Sequence, residues 1–328
     1  MTKRLAEVAK KAGVSEATVS RVLNGRSGVS EATRASVLTA LDVLGYERPT
    51  KLRGERGRLV GLVLPELQNP IFPALAEVVT ASLAQRGFTP LLAARTIGGV
   101  PERDYIEMLL DHQVSGVVFA GGSYALADAE HGHYRALTDR RMPVVMVNAG
   151  VADLGFPHIS TDDAVAVEQA YGHLRSLGHE RVGMVMGPED HVPSRRKLAA
   201  LEGKDFLVER TNFSMESARL AAAKLIERGV TGMICASDVL ALGSIRAARR
   251  LGLDVPSGIS VVGFDDSALM TCTDPPLTTV RQPIEMMGQA AVDLLVNQIE
   301  GSGVEPDELL FEPELVVRGS TAPAPQRG

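Results

Sequence analysis

The sequence predicts an α/β protein with an N-terminal three-helix, helix-turn-helix headpiece over residues 1–46. A body of parallel sheets follows over residues 59–328, and a linker at 47–58 joins the two. Three observations predict this division. The first stretch carries helical spacing punctuated by two serine caps. From residue 59 onward, short apolar runs alternate with amphipathic stretches, the pattern of sheets with helices on both faces. Charge divides at the same place: residues 1–58 hold 12 Lys/Arg against six acids, a net of +6, which leaves −12 for the rest of a chain whose total is −6. A basic head on an acidic body points to a polyanion met by the head alone.

The headpiece elements follow in order. Leu5, Val8 and Ala9 recur at helical spacing until Gly13 stops the run. Ser15 caps a second helix, EATVSRVLNG, whose Val19, Val22 and Leu23 face inward. Glu16, Ala17, Thr18, Ser20 and Arg21 are left facing out. Ser30 caps a third helix, with Thr33, Val37, Leu41 and Leu44 at turn spacing up to Gly45. Small and hydroxylated side chains let the second helix enter a major groove. Thr18 and Ser20 can bond phosphates there, and Arg21 can reach a guanine edge with two hydrogen bonds. The linker ERPTKLRGERGR is basic, broken by Pro49, Gly54 and Gly57, and has no apolar period.

In the body, the runs at 59–65, 89–94, 116–121, 143–148, 181–187, 231–237 and 259–265 read as strands separated by helical patterns. Seven strands spread over this length predict two layers. Ligands of such sheets bind beyond the carboxyl ends of the strands. The residues expected there are Asn69, Phe72, Asn148, Asp162, Ser237 with Asp238, and Asp265 with Asp266. Amides, carboxylates and an aromatic suit a polyhydroxy ligand. GxGxxG and GxxxxGK[ST] are both absent, so no phosphate cradle is predicted and no cofactor is implied.

LAEVAKKAGVSEATVSRVLNG, followed by VSEATRASVLTALDVLGY, resembles the headpiece of the lactose-repressor (LacI/GalR) family nearly position for position. The resemblance runs on through QNPIF, GVVFAG, LGHERVGMV, ICASDVLALG and ISVVGFDDSALMTCTDPPLTTVRQP. It implies a body like a periplasmic sugar-binding protein. The expected N-subdomain covers about 59–158 and 283–310, and the C-subdomain about 159–281 and 311–322. It also implies a homodimer on double-stranded operator DNA, base contacts from Glu16, Ala17 and Arg21, and backbone positioning by Thr18, Ser20 and Asn24. Leu52 matches the family leucine that wedges into the minor groove, although the interval from Tyr46 to Leu52 is about three residues short, nearly one helical turn. For the effector the resemblance points to Phe72, Asp238 and Asp265. Where the family has an arginine in S-x-R-x-x-G, this chain offers Lys197 with Arg196 beside it, and the following helix is cut short as LAALEGKDF. That trimming, with ELQNPIF, is similar to maltose-responsive repressors of actinobacteria and implies a maltose or maltodextrin effector. Cellobiose, a galactoside or a purine-like co-repressor are the alternatives, as is a sugar-binding protein without DNA function.

Composition sets further bounds. With 45% hydrophobic and 23% charged residues the chain should fold rather than remain disordered. No apolar run approaches the roughly 18 residues needed to span a bilayer, and the start lacks a signal-like apolar core. The expectation is a cytoplasmic, nucleoid-associated protein without membrane contact. Cys235 and Cys272 lie in separate segments and are expected to be two buried free thiols. The seven histidines are read as surface residues; His131 and His133 would supply at most two zinc ligands, with no metal site expected. No nucleophile elbow or Ser/His/Asp order occurs, which argues against an enzyme.

Overall fold

The computed structural model describes residues 2–23, 28–44, 58–95 and 98–325. The chain divides into two compact units, Met1–Arg58 and Leu59–Gly328.

In the first unit, α1 (Thr2–Ala12), α2 (Glu16–Leu23) and α3 (Glu31–Val43) surround one small core. Val8, Ala9, Val19, Val22, Val37, Ala40 and Leu41 fill it. Gly13 ends α1 at φ +70°, a conformation that a side chain disfavours. The backbone N–H of Thr18 donates to Ser15 Oγ and that of Thr33 to Ser30 Oγ, each at 3.2 Å, so both expected caps form.

The second unit holds two six-stranded sheets. The first layer contains β1 (Arg58–Leu64), β2 (Phe88–Ala94), β3 (Gly116–Phe119), β4 (Val144–Val147), β5 (His158–Thr161) and β11 (Glu308–Phe311), in the order β11-β5-β4-β3-β1-β2. The second contains β6 (Val182–Met186), β7 (Leu207–Arg210), β8 (Gly232–Cys235), β9 (Ser260–Asp265), β10 (Thr278–Arg281) and β12 (Glu314–Val316), in the order β12-β10-β9-β8-β6-β7. The central strands β3, β4, β6, β8 and β9 are buried along their whole length, as parallel strands covered on both faces must be. Helices α4 (Ile71–Gln85), α5 (Glu102–Asp111) and α6 (Arg135–Asp139) belong to the first layer. Helices α7 (Asp163–Ser176), α8 (Val192–Ala200), α9 (Met215–Glu227) and α10 (Asp238–Arg250) belong to the second. Helix α11 (Ile284–Ile299) returns to pack on the first layer through Met287, Ala291, Val292 and Leu295.

The chain therefore passes between layers three times. The sequence expectation puts the first passage after residue 158, but β5 pairs with β11 from His158↔Glu308 to Thr161↔Phe311 and keeps both segments in the first layer. The first and third passages fall at Asp162 and after Phe311, because ladder pairing decides membership of a sheet. Five of the strands, β5, β7, β10, β11 and β12, lack the long apolar runs that mark the other seven. Among the described residues no helix is long and apolar enough to cross a membrane. Cys235 is buried, and burial pushes its thiol up to about 12. Cys272 is exposed, contrary to expectation, because it follows a surface 3₁₀ turn, Ala268–Thr271.

Candidate DNA-reading helix and effector cleft

On the headpiece, Val19 and Val22 anchor α2 to the core and set the direction of the opposite face. Glu16, Ala17 and Arg21 are exposed on that face. Thr18 and Ser20 are half-buried, and the Thr18 hydroxyl is 2.9 Å from Ser15 Oγ. Asn24 and Leu52 lie outside the described residues, as does most of the linker.

In the body, a cleft of about 860 Å³, its solvent-open part included, lies beyond the carboxyl ends of the strands in both layers. The first layer contributes Glu66, Asn69 and Phe72 after β1, Gly121 and Gly122 after β3, and Asn148 after β4. The second contributes His191, Lys197, Phe213, Ser237 and Asp265, with Gln282 just beyond β10. Two strand ends turn in unusual backbone conformations, Asn148 at φ 69° and Asp265 at φ 120°, strain of the kind found at binding sites.

Asp265 is the most heavily committed group. Its Oδ1 accepts from Gln282 Nε2 at 2.7 Å and its Oδ2 from Asn69 Nδ2 at 3.2 Å. Burial holds its carboxyl well above the usual range, and nearby Asp238 adds to that. Gln282 is oriented in turn by Thr161 Oγ1, which donates to Gln282 Oε1 at 2.8 Å. Lys197 is buried, pairs with Asp163 and sits 3.9 Å from the centroid of the Phe264 ring. Burial raises the Asp163 carboxyl, and Lys197 opposes that shift. Half-burial also raises Glu66. The Phe213 ring packs on the bare backbone of Gly187, where a Cβ would come within 2.7 Å of the ring.

Residues 4–49 match the profile of the bacterial regulatory proteins of the lacI family, and residues 171–321 that of the periplasmic binding protein-like domain. The chain is 51% identical over 342 residues to the HTH-type transcriptional regulator MalR of Streptomyces coelicolor, covering 100% of this chain and 99% of that one. The chain belongs to the lacI family of bacterial regulatory proteins. Among solved structures, this lacI-family regulator is similar to the transcriptional regulator CelR in complex with cellobiose (32% identity, TM-score 0.72, 96% of this chain and 99% of that one). It is also similar to the lac repressor dimer bound to operator and the anti-inducer ONPF (29% identity, TM-score 0.73, 96% and 98%). The regulator is thus a DNA-binding transcription factor of a family of repressors, and its relatives are transcriptional regulators rather than enzymes.

The regulator's cleft brings together Asn69, Phe72, Asn148, Lys197, Ser237 and Asp265 of the residues expected from sequence. It does not include Asp162, Arg196 or Asp238. Asp162 caps α7, its Oδ1 accepting from the backbone N–H groups of Ala164 at 3.0 Å and Val165 at 3.1 Å; the next residue, Asp163, faces the cleft instead. Arg196 turns away to Glu308, donating from Nη1 to Oε1 at 2.6 Å and from Nη2 to Oε2 at 3.2 Å. Asp238 is fully buried in its own layer, accepting from Thr279 Oγ1 at 2.6 Å and the Ser267 N–H at 2.8 Å. Asp266, also expected at the cleft, pairs with Arg281 and Arg318.

Of the seven histidines only His112 is exposed, contrary to the surface expectation. His179 is fully buried, with its ring within 3.0 Å of Thr231 Oγ1, Ser260 Oγ and the Ala322 carbonyl. His191 lines the cleft. His131 and His133 bind the Ser123 carbonyl and hydroxyl at 3.0 and 3.2 Å, steadying the loop that begins at Gly121. Among the described residues no group of three or more His, Cys, Asp or Glu could hold a metal ion. Glu66, Asp163, His191, Phe213 and Gln282 are cleft residues not among those expected from sequence, although Glu66, Asp163 and Gln282 closely follow strands.

Proposed function

We propose that this regulator is a dimeric, cytoplasmic repressor that reads the two half-sites of a palindromic operator with α2 of each protomer. A small sugar, maltose or a maltodextrin, fills the cleft and releases the DNA. The observation that carries this reading is the convergence of Asp265, Asn69, Gln282 and Asn148 with the rings of Phe72 and Phe213 in one cleft. Hydroxyl groups find carboxylate and amide partners there, and the C–H face of a sugar finds aromatic rings. The cellobiose carried by CelR and the operator held by the lac repressor dimer support the two halves of the reading. On the headpiece, Glu16, Ala17 and Arg21 contact base edges, while Thr18, Ser20 and Asn24 position the backbone and Leu52 enters the minor groove.

Ligand can weaken DNA binding only through its differential affinity for the two states of the body. Thermal-shift screening of the full chain against maltose, maltotriose, cellobiose, galactose and trehalose tests the effector. A raised midpoint with maltose or maltotriose alone, together with release of operator in a gel shift, is expected. A shift with cellobiose or galactose alone would replace the maltodextrin assignment. No shift on any DNA, including the region upstream of the protein's own gene, would remove the operator reading.

A further inference from the structure

Most strongly polar groups of the cleft already have partners: Lys197 is tied to Asp163, and Asp265 to Asn69 and Gln282. His191 differs. It stands at the N-cap of α8, and it caps with its ring: Nδ1 accepts from the Ser194 backbone N–H at 3.3 Å and lies 2.9 Å from Ser194 Oγ. Ser194 Oγ itself accepts from the Gly187 N–H at 3.1 Å, so the hydroxyl proton is directed to His191 Nδ1. Two donors converge on Nδ1, which leaves no place for a proton there. The proton of the neutral imidazole therefore resides on Nε2. Burial first, and the Lys197 charge second, push the ring's pKa down to about 3, so the neutral form holds at physiological pH. Nε2 has no hydrogen-bond partner among the described residues.

We infer that His191 is a ligand-reading residue of the cleft, presenting a neutral Nε2–H donor, held in one tautomer by the α8 cap, to an acceptor oxygen of the bound sugar. The proposal rests on the reading of the cleft as a sugar site. Two further contacts place this donor usefully. The imidazole meets the Phe213 ring edge-on, with centroids 4.8 Å apart and planes at 63°, so a polar contact stands beside an aromatic face, the combination that a sugar's hydroxyl edge and C–H face require. The His191 backbone bridges to Leu126 of the first layer, and the Ala127 N–H donates to the Asp190 carbonyl at 2.8 Å. The donor thus stands where the two layers meet, and a sugar that accepts from it touches the seam between them. A group that donates once and cannot accept selects for an oxygen with a free lone pair at that point. A serine cap or an arginine would read the same point differently.

Two measurements on the full chain test the proposal. Long-range nitrogen–proton NMR of the labelled protein is expected to show His191 neutral with its proton on Nε2, and the Nε2 signal is expected to move when maltotriose is added. Isothermal titration of the His191→Ser variant, which keeps an oxygen to cap α8, is expected to show about tenfold weaker binding of maltotriose than wild type. If wild type binds cellobiose instead, the same loss is expected for that sugar. A proton found on Nδ1, or a variant that binds within about twofold of wild type, overturns the assignment to His191 and leaves the sugar reading standing. Failure of wild type to bind either sugar overturns both.

Discussion

Asn69 reaches across the cleft from the first layer and donates its side-chain amide to Asp265 of the second at 3.2 Å. The bond spans the two layers, so a ligand hydroxyl at this point would have to share or displace it. The cleft is therefore balanced between an internal contact and an external one.

Replacing Asp265 by alanine removes the acceptor and leaves the amides of Asn69 and Gln282 without a partner. The expected loss of sugar binding is about 1–3 kcal/mol, read by isothermal titration. Binding equal to wild type would remove Asp265 from the site.

The bidentate grip of Arg196 on Glu308 ties α8 of the second layer to β11 of the first, and His158 Nε2 stands 3.6 Å from the same carboxylate. His158 first, and Arg196 after it, hold the Glu308 carboxyl down at about 2. A folded-state value below the unfolded one adds stability that is present above the unfolded value of about 4.3 and is lost as pH falls through the folded one. Wild type should therefore lose thermal midpoint more steeply than Glu308→Gln between about pH 5 and pH 2. Parallel curves would refute the coupling.

Asp238 lies against Gly263 of β9 so closely that a Cβ there would stand 2.4 Å from its Oδ1. The glycine is needed for room and not for an unusual dihedral. Gly263→Ala should destabilise the body by about 1–3 kcal/mol, as overpacking does. A thermal midpoint equal to wild type would show that the carboxylate can move away freely.

Arg21 is exposed on α2, opposite the buried Val19 and Val22. Arg21→Ala should weaken operator binding by about 1–3 kcal/mol and relax specificity at one base pair, in gel shifts against a set of single-base operator variants. Uniform weakening across all of them would reassign the side chain to a phosphate.

The fold was largely legible in the sequence where local physics decides it. Ser15 and Ser30 announce their helices because a cap bonds a backbone N–H three residues away, a relation internal to the chain. The central strands announce themselves because burial on both faces leaves little choice but apolar residues. The strands HIST, LVER and TTVR did not, since pairing with a neighbour, rather than their own composition, makes them strands. The exposed Cys272 escaped for a related reason, because burial depends on what packs above a turn.

By itself, the sequence determined that a basic three-helix headpiece precedes a two-layered α/β body, and that carboxylates and amides gather at strand ends. Only the tertiary structure decided which of them face the cleft. Asp162 and Asp163 are adjacent, yet one caps α7 and the other meets Lys197. Asp238 follows one buried strand and Asp265 ends another, yet one is bound within its own layer and the other is met by Asn69 from the opposite layer. Side-chain direction at a strand end follows the local backbone dihedrals and the donors of a distant segment, and neither is encoded in the neighbouring residues alone.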